Sequence, residues 1–335
     1  MVLVTDRHEE IVALPQGEGL GPGASPRALA LTPYPSPKGR GETVGQSSAR
    51  RRKSVVLLLG LIGAAAVWHA SWRVPAGPDA GTAMHGEVTR DTGNSRNEVG
   101  DSPVAASASA QPRRSFRVAT FNIHSCKGMD GRRDVDRVAD CVGDFDLVAL
   151  NEVRGARPWE QLDQAGQLGT RLGLAWLFAP SQRQWHSQEC GNGLLSAPPV
   201  SSWQRIPLQR RTGSGYRNML LATVQHGGRA IHVLLTHVAR SDRQEREEQL
   251  RTVIAMYRAL AGPSLLLGDL NSGADDPQVR DLLATPGVRD PVGETLGTRA
   301  LPRIDWIITR GLRPLDAGIR ETTASDHPVV WAELE

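Results

Sequence analysis

The chain of 335 residues is long enough for one large domain or two ordinary ones, and its composition, 39% apolar and 22% charged, is that of a soluble globular protein. Its formal net charge of +3 lies entirely before residue 116, where 13 Lys and Arg face 10 Asp and Glu, because the remainder holds 26 of each. Residues 116–335 therefore lack the bulk basic surplus of a protein that grips nucleic acid through many phosphates, although a local arginine patch is compatible with these totals.

The first third of the chain has the composition of segments that do not fold alone. Residues 1–49 are rich in Gly, Pro, Ser and Ala. This composition predicts disorder, because too little apolar area is available to offset the entropy cost of ordering the chain. Residues 73–115 are similar and are predicted to be a flexible linker.

An apolar run with a positive flank separates these two segments. Residues 50–53 read Arg-Arg-Arg-Lys, and residues 55–68 are almost entirely apolar. This order is typical of a signal-anchor, and the small residues at its far end also fit a cleavable signal peptide; a buried core helix is the third interpretation. The first two interpretations predict that residues 50–72 engage a membrane and that the rest is exported, either membrane-anchored or secreted to the periplasm or beyond.

From residue 116 onward, apolar strands end on polar side chains. Residues 116–122 alternate and end at Asn122, and an unbroken apolar strand ends beside Glu152. Three leucines at 265–267 stop at Gly-Asp-Leu-Asn, so Asp269 and Asn271 project to one side of an extended chain. Each case alone also fits a solvated strand end or an Asx turn. Several together predict a shared site.

The second half of the chain adds two histidines to this set. Residues 217–225 and 229–237 are predicted to form a hairpin that leaves His237 at a strand end, where a structural role is the alternative. Asp305 is a charge inside an apolar strand and needs a partner, for which His327 is the nearest histidine in the chain. Residues 181–192 are predicted to be a polar loop.

Six segments carry a resemblance to a known family. They are Ala-Thr-Phe-Asn at 119–122, Val-Ala-Leu-Asn-Glu-Val at 148–153, Thr-His at 236–237, Gly-Asp-Leu-Asn at 268–271, Arg-Ile-Asp-Trp at 303–306 and Ser-Asp-His at 325–327. In this order they resemble the endonuclease/exonuclease/phosphatase superfamily over residues 116–335. Asn-Ile-His at 122–124, together with Met-Asp-Gly-Arg-Arg-Asp at 129–134, also resembles its bacterial membrane-associated members. The resemblance implies a catalytic domain with an α/β fold, the deoxyribonuclease I-like four-layer α/β/β/α sandwich of two packed mixed β-sheets.

The resemblance also implies a metal-dependent phosphoric ester hydrolase. Glu152 is expected to hold a divalent cation, Mg²⁺ first and Mn²⁺ as an alternative, with Asn122 and Asp326 close enough to help; oxygen ligands suit such a hard cation. Asn151 stands where many members of the family have Gln. The expected substrate-contacting and catalytic residues are Arg217 for phosphate, Asp269 for the attacking water, Asn271 for a phosphoryl oxygen, and His237 and His327, the latter held by Asp305, for the developing charge or the leaving oxygen.

Three functions remain open at this level. The first is a phosphodiesterase or phosphatase acting on a lipid headgroup or small phosphoester, expected to be a monomer tied to a membrane through its N-terminal segment. The second is an exported endonuclease or exonuclease, which the neutral charge of residues 116–335 makes the less favoured reading. The third is a catalytically inactive binding module on the same scaffold. The Thr236–His237 pair resembles secreted nucleases and lipid or sugar phosphoesterases, whereas members that cut abasic sites place a tyrosine near this position.

Overall fold

The computed structural model describes residues 44–71, 74–89, 115–184, 187–211, 215–300 and 302–335. Contacts divide the chain into two units, residues 1–59 and residues 60–335. Residues 1–43 of the predicted disordered segment 1–49 lie outside the described residues. So do residue 73 and residues 90–114 of the linker predicted at 73–115.

Six α-helices lie in the described part of the chain. They are α1 (Val44–Ser71), α2 (Val135–Val142), α3 (Gln164–Leu172), α4 (Arg243–Ala259), α5 (Pro277–Leu283) and α6 (Pro291–Leu296). Helix α1 begins six residues before the basic residues at 50–53, and its large apolar side chains from Val55 to Trp68 are exposed. A search of the described residues found no helix whose length and apolarity are sufficient for a membrane crossing.

Within the described ranges, fourteen strands form two sheets of seven. They are β1 (Val74–Pro75), β2 (Asp79–Gly81), β3 (Phe116–Asn122), β4 (Leu147–Val153), β5 (Ala175–Gln184), β6 (Ser187–Ser196), β7 (Val200–Pro207), β8 (Asn218–His226), β9 (Arg229–His237), β10 (Ser264–Asp269), β11 (Val288–Arg289), β12 (Asp305–Arg310), β13 (Pro314–Arg320) and β14 (Val329–Leu334). The first sheet has the order β1-β5-β6-β4-β3-β14-β13, and the second has the order β11-β12-β10-β9-β8-β7-β2. Both are mixed, because β3 runs parallel to β4 and β9 runs parallel to β10 while the other neighbours are antiparallel.

Side-chain alternation along the strands creates three apolar layers. One face of each sheet packs against the other sheet, through residues such as Leu147 and Leu267. The opposite face of the first sheet packs on α2 and α3, through Val148, and that of the second packs on α4 and α5, through Leu266. Because strand side chains point alternately to the two faces, each buried strand is apolar on both. The predicted four-layer α/β/β/α sandwich is confirmed.

The linker prediction is wrong for residues 74–89. Strand β1 pairs with β5 at the edge of the first sheet, β2 pairs with β7 at the edge of the second, and His85 forms a bridge with Trp176. Ala76 is fully buried, and its N–H donates to the carbonyl of Ser181 at 3.1 Å. Unpaired backbone groups at a sheet edge accept any extended segment, so a stretch rich in Gly and Pro docks there without an apolar pattern of its own.

The polar loop predicted at residues 181–192 is also wrong. Residues 181–184 and 187–192 belong to strands β5 and β6, which pair from Ala175 with Ser196 to Gln184 with Ser187, and residues 185–186 lie outside the described residues. Backbone groups make the strand pairing, so a run of polar side chains such as Ser-Gln-Arg at 181–183 hides the strand pattern in the sequence. The predicted β8–β9 hairpin is confirmed, with Gly227 and Gly228 at φ 57° and 71° in a two-residue turn that requires positive φ at both positions.

Candidate active site

Three of the predicted site residues lie side by side where neighbouring strands of the second sheet end. Asp269, the last residue of β10, pairs with His237 of β9 on one side and with Asp305 of β12 on the other. Each lies two residues along its strand from an apolar residue, Leu235, Leu267 or Ile307, whose side chain packs in the space between the two sheets. Alternation therefore points them into the end of that space, where all three are nearly fully buried.

Asn122 brings the first sheet into the same cluster. It ends β3 and is fully buried. Its side-chain amide donates to Asp269 Oδ2 at 3.2 Å and to Glu152 Oε1 at 3.3 Å, so one amide orients two carboxylates from different sheets. Its oxygen accepts the backbone N–H of His124 at 3.1 Å.

Two site residues have left-handed backbone conformations. Glu152 has φ 56° and lies at an irregularity in the pairing of β4 with β6, and Asn271 has φ 46°. Non-glycine residues rarely adopt such angles, and they concentrate at functional sites. The Asn271 N–H donates to Asp269 Oδ1 at 2.8 Å, and its side-chain amide donates to the Val238 carbonyl at 3.0 Å. The backbone after β10 thus folds back onto the carboxylate that it positions.

His327 faces Asp269 from the segment before β14. Its Nδ1 lies 2.7 Å from Asp305 Oδ2, and its Nε2 lies 4.0 Å from Asp269 Oδ2. Ser325 holds this segment in place, because its hydroxyl donates to the Asn122 carbonyl at 2.7 Å. The pairing of Asp305 with His327 that the sequence predicts is therefore present.

The electrostatics of this side of the cluster favour a charged histidine. Partial burial would lower the pKa of His327, but the hydrogen bond and charge of Asp305 outweigh it and raise the pKa to about 9. Burial, together with the neighbouring charge of Asp305, raises the pKa of Asp269 to about 7. A carboxyl group with such a pKa can accept a proton near neutral pH.

His237 occupies the opposite side of Asp269 and has the opposite character. Its Nδ1 lies 3.2 Å from the Arg217 guanidinium, and its Nε2 lies 3.4 Å from Asp269 Oδ2. Burial, followed by the charge of Arg217, lowers the pKa of His237 well below its ordinary value. Arg217 can only donate, so its contact assigns a neutral ring whose Nδ1 accepts and whose proton lies on Nε2, on the side of Asp269.

The predicted metal ligands fit a hard cation by their chemistry. Glu152 and Asp326 offer carboxylate oxygens and Asn122 an amide oxygen, which is the donor set that Mg²⁺ prefers. Asp326 is exposed and lies 3.3 Å from His124 Nδ1. Among the described residues, the grouping with three potential ligand atoms within 4.8 Å is a different one, formed by Asp269, Asp305 and His327. The predicted ligand set accordingly stays a prediction.

Most of the predicted residues meet in one place. Asn122, Glu152, Arg217, His237, Asp269, Asn271, Asp305 and His327 are connected by the contacts given above, and Asp326 adjoins His327 in the chain. The sequence did not single out His124, whose contact with Asp326 depends on three consecutive residues with positive φ, His124, Ser125 and Cys126. A turn of this kind, made by residues other than glycine, has no local sequence pattern that predicts it.

The structural comparisons match this fold with proteins of known structure. An endonuclease/exonuclease/phosphatase from Beutenbergia cavernae is 24% identical with a TM-score of 0.55, over 67% of this chain and 72% of that chain. A mannosyl-6-phosphatase from Bacteroides thetaiotaomicron is 16% identical with a TM-score of 0.53, over 66% and 99%. D. rerio TDP2 complexed with single-strand DNA product is 19% identical with a TM-score of 0.51, over 66% and 99%. These likenesses show the fold.

The sequence comparisons give the family. The search of curated proteins found no match. The model of the Endonuclease/Exonuclease/phosphatase family matches residues 119–327, a span that begins in β3, ends at His327 and includes all the contacts of the candidate site. Members of this family are hydrolases that act on phosphoesters. The chain therefore belongs to the Endonuclease/Exonuclease/phosphatase family.

Proposed function

We propose that this protein is a Mg²⁺-dependent phosphoesterase that hydrolyses a lipid headgroup or another small phosphoester by direct attack of water. The observation that carries the proposal is the buried cluster around Asp269, which joins a carboxylate near its protonation midpoint at neutral pH to one neutral and one charged histidine. Groups with shifted pKa values that share a cleft mark catalytic sites.

Asp269 is the base or orienting group for the attacking water. Its carboxylate is held by the Asn122 amide and the Asn271 N–H, so it keeps one direction while it accepts a proton. General-base catalysis works best when the pKa of the base lies near the working pH. A pKa of about 7 meets this condition.

The remaining side chains act on the phosphoryl group. His327, protonated through Asp305, supplies positive charge or a proton to the leaving oxygen. Arg217 has no carboxylate in ion-pair range among the described residues, and its contact is the ring of His237. A partly buried guanidinium without a carboxylate partner suits a phosphate oxygen. Asn271 retains a second amide hydrogen for the same group.

Glu152, Asn122 and Asp326 are the residues that would hold the metal ion. When bound there, the ion would polarise the phosphoryl group as a Lewis acid. Asn122 already orients Glu152 and Asp269 together, so the chain arranges these carboxylates through its own hydrogen bonds.

The test compares two Asp→Asn variants of the full chain with bis-p-nitrophenyl phosphate in Mg²⁺. We expect Asp269→Asn to lower kcat by a factor on the order of 10² or more, because the base is lost. Asp281→Asn is the matched control, since Asp281 lies exposed on α5 and its carboxylate pairs with Arg258 of α4. Full activity of Asp269→Asn, or activity that survives removal of divalent metal by a chelator, would contradict the proposal.

A second candidate function is cleavage of nucleic acid. It is supported by the fold likeness to TDP2 in complex with a single-strand DNA product, as the first is by the mannosyl-6-phosphatase. The charge balance of 26 against 26 in residues 116–335 favours the small substrate. A salt titration separates the two, because an enzyme that grips several phosphates loses activity steeply as salt rises, and hydrolysis of a small phosphoester does not.

We also propose that the catalytic domain acts outside the cytoplasm, as a membrane-tethered or a secreted protein. The support is the order of residues 50–53 and 55–68, basic and then apolar, with the apolar side chains exposed. Cell fractionation with N-terminal mass spectrometry tests this: a chain that starts at residue 1 and stays in the cytoplasmic fraction would contradict it.

A further inference from the structure

Three buried asparagines form a continuous chain of hydrogen bonds behind the catalytic cluster. Asn151 Nδ2 donates to Asn192 Oδ1 at 2.8 Å, and Asn192 Nδ2 donates to the side-chain and backbone oxygens of Asn218 at 2.9 and 3.0 Å. The Asn218 amide then donates to the carbonyl of Pro180 at 3.0 Å and to Ser181 Oγ at 3.1 Å. The chain crosses from β4 and β6 of the first sheet to β8 of the second.

Asn151, at one end of this chain of hydrogen bonds, binds the backbone of strands β9 and β10. Asn151 Oδ1 accepts the backbone N–H of Asp269 at 2.9 Å, and Asn151 Nδ2 also donates to the carbonyl of Thr236 at 3.0 Å. One side chain of the first sheet therefore holds both parallel strands of the second sheet, at the residue that carries the base and at the residue before His237.

Gly268 makes this close approach possible. It has φ 124°, and a Cβ at this position would lie 1.9 Å from the Thr236 oxygen and 3.2 Å from Asn151 Oδ1. Only glycine fits without moving the backbone. Gly268 therefore leaves room for the Asn151 side chain beside the backbone of Asp269.

Two of the three asparagines, Asn151 and Asn218, adjoin a site residue in the sequence. The third, Asn192, makes hydrogen bonds with both of them. Asn151 precedes Glu152, Asn218 follows Arg217, and Thr236, whose hydroxyl donates to the Asn218 carbonyl at 3.2 Å, precedes His237. The three asparagines continue strand faces that are otherwise apolar, such as that of Leu147 and Ala149. Apolar residues there would have served packing equally well, because buried amides stabilise a core only when all their hydrogen bonds are made.

We infer that Asn151 is a positioning residue for the reaction, which fixes the backbone of Asp269 and His237 against Glu152 through the buried amide chain. The inference rests on the proposed function, since it assigns Asn151 a role through those residues. Misplacement of a catalytic group by about 1 Å costs up to about 10² in rate, so loss of this one amide acts on turnover.

The experiment compares Asn151→Ala, Asn192→Ala and Val148→Ala in the full chain. Val148 lies on the same strand but faces the helices, so its truncation weakens the core without touching the amides. We expect Asn151→Ala to lower kcat about tenfold or more with KM within about twofold, and Asn192→Ala to do so more weakly, because the first loses the contact with Asp269 and the second only its support. Val148→Ala should keep the wild-type kcat below its melting temperature.

A second readout does not depend on activity. In a deuterated full-length chain, the Asp269 backbone amide should exchange with solvent faster in Asn151→Ala and Asn192→Ala than in the wild type and in Val148→Ala. Wild-type kcat and unchanged exchange in both asparagine variants would overturn the inference, and Asn192→Ala keeps the test valid if Asn151→Ala does not fold. Absence of any hydrolysis in the wild type, with the exchange result as expected, would instead overturn the proposed function alone.

Discussion

The two sides of Asp269 present the same residue type in opposite electrostatic settings. His237 is buried beside Arg217, and burial and that charge hold its pKa well below the ordinary value. His327 is partly exposed beside Asp305, which raises its pKa to about 9 despite partial burial. Near neutral pH one ring is therefore neutral and the other is charged, although both reach the same carboxylate oxygen.

The outer partner of each ring, Arg217 or Asp305, sets the protonation state of that ring together with burial. A ring that accepts from Arg217 at Nδ1 carries its proton on Nε2, 3.4 Å from Asp269 Oδ2, and supplies no positive charge near neutral pH. His327 donates from Nδ1 to Asp305, and because its pKa is raised to about 9 it also carries a proton on Nε2 near neutral pH, which it can give to a leaving oxygen or use as charge. The sequence places both histidines at the site and leaves their roles equal, whereas the structure separates them.

The largest expected effect comes from neutral substitutions of the two histidines. Glutamine keeps an N–H donor near the Nε2 position but carries no charge. We expect His327→Gln to lower kcat by a factor on the order of 10² to 10³, and His237→Gln by only about tenfold, because only His327 loses a positive charge. Steady-state kinetics with bis-p-nitrophenyl phosphate measures both, and equal losses would break the comparison.

A smaller effect is expected from the cation on the neutral side. Arg217→Met should raise KM about tenfold with a lesser change in kcat, because a charge-assisted contact with the phosphate is lost. The same variant should raise the pKa of His237, although burial, the larger cause, remains. Arg217→Lys is the matched control: it keeps the charge and should lie between the wild type and Arg217→Met. A KM in Arg217→Met equal to that of the wild type would argue against phosphate contact.

The position of the site could be predicted from the sequence because strand periodicity is local. Asn122, Asp269 and Asp305 each lie on the inner face of a strand, and this follows from counting alternate residues along an apolar run. The pairing of Asp305 with His327 followed from the cost of an unpaired buried charge. The resemblance to one family then predicted that these residues lie together in one site.

Other features depend on contacts between distant segments and have no local signal. Asn151 reads as a polar residue in an apolar strand until Asn192 and the backbone of Asp269 are brought to it from other strands. Residues 74–89 look like a linker because an edge strand needs only backbone groups to dock. The charge states of the two histidines likewise depend on neighbours from other strands, Arg217 beside His237 and Asp305 beside His327.

An NMR titration of the histidine rings in the metal-free protein tests the central contrast most directly. We expect His327 to titrate with a pKa of about 9 and His237 to remain neutral well below pH 6.5. In Asp305→Asn the pKa of His327 should fall, since the hydrogen bond and charge that raise it are removed, while His237 stays unchanged. Two rings that titrate together at an ordinary pKa, unaffected by Asp305→Asn, would contradict the account.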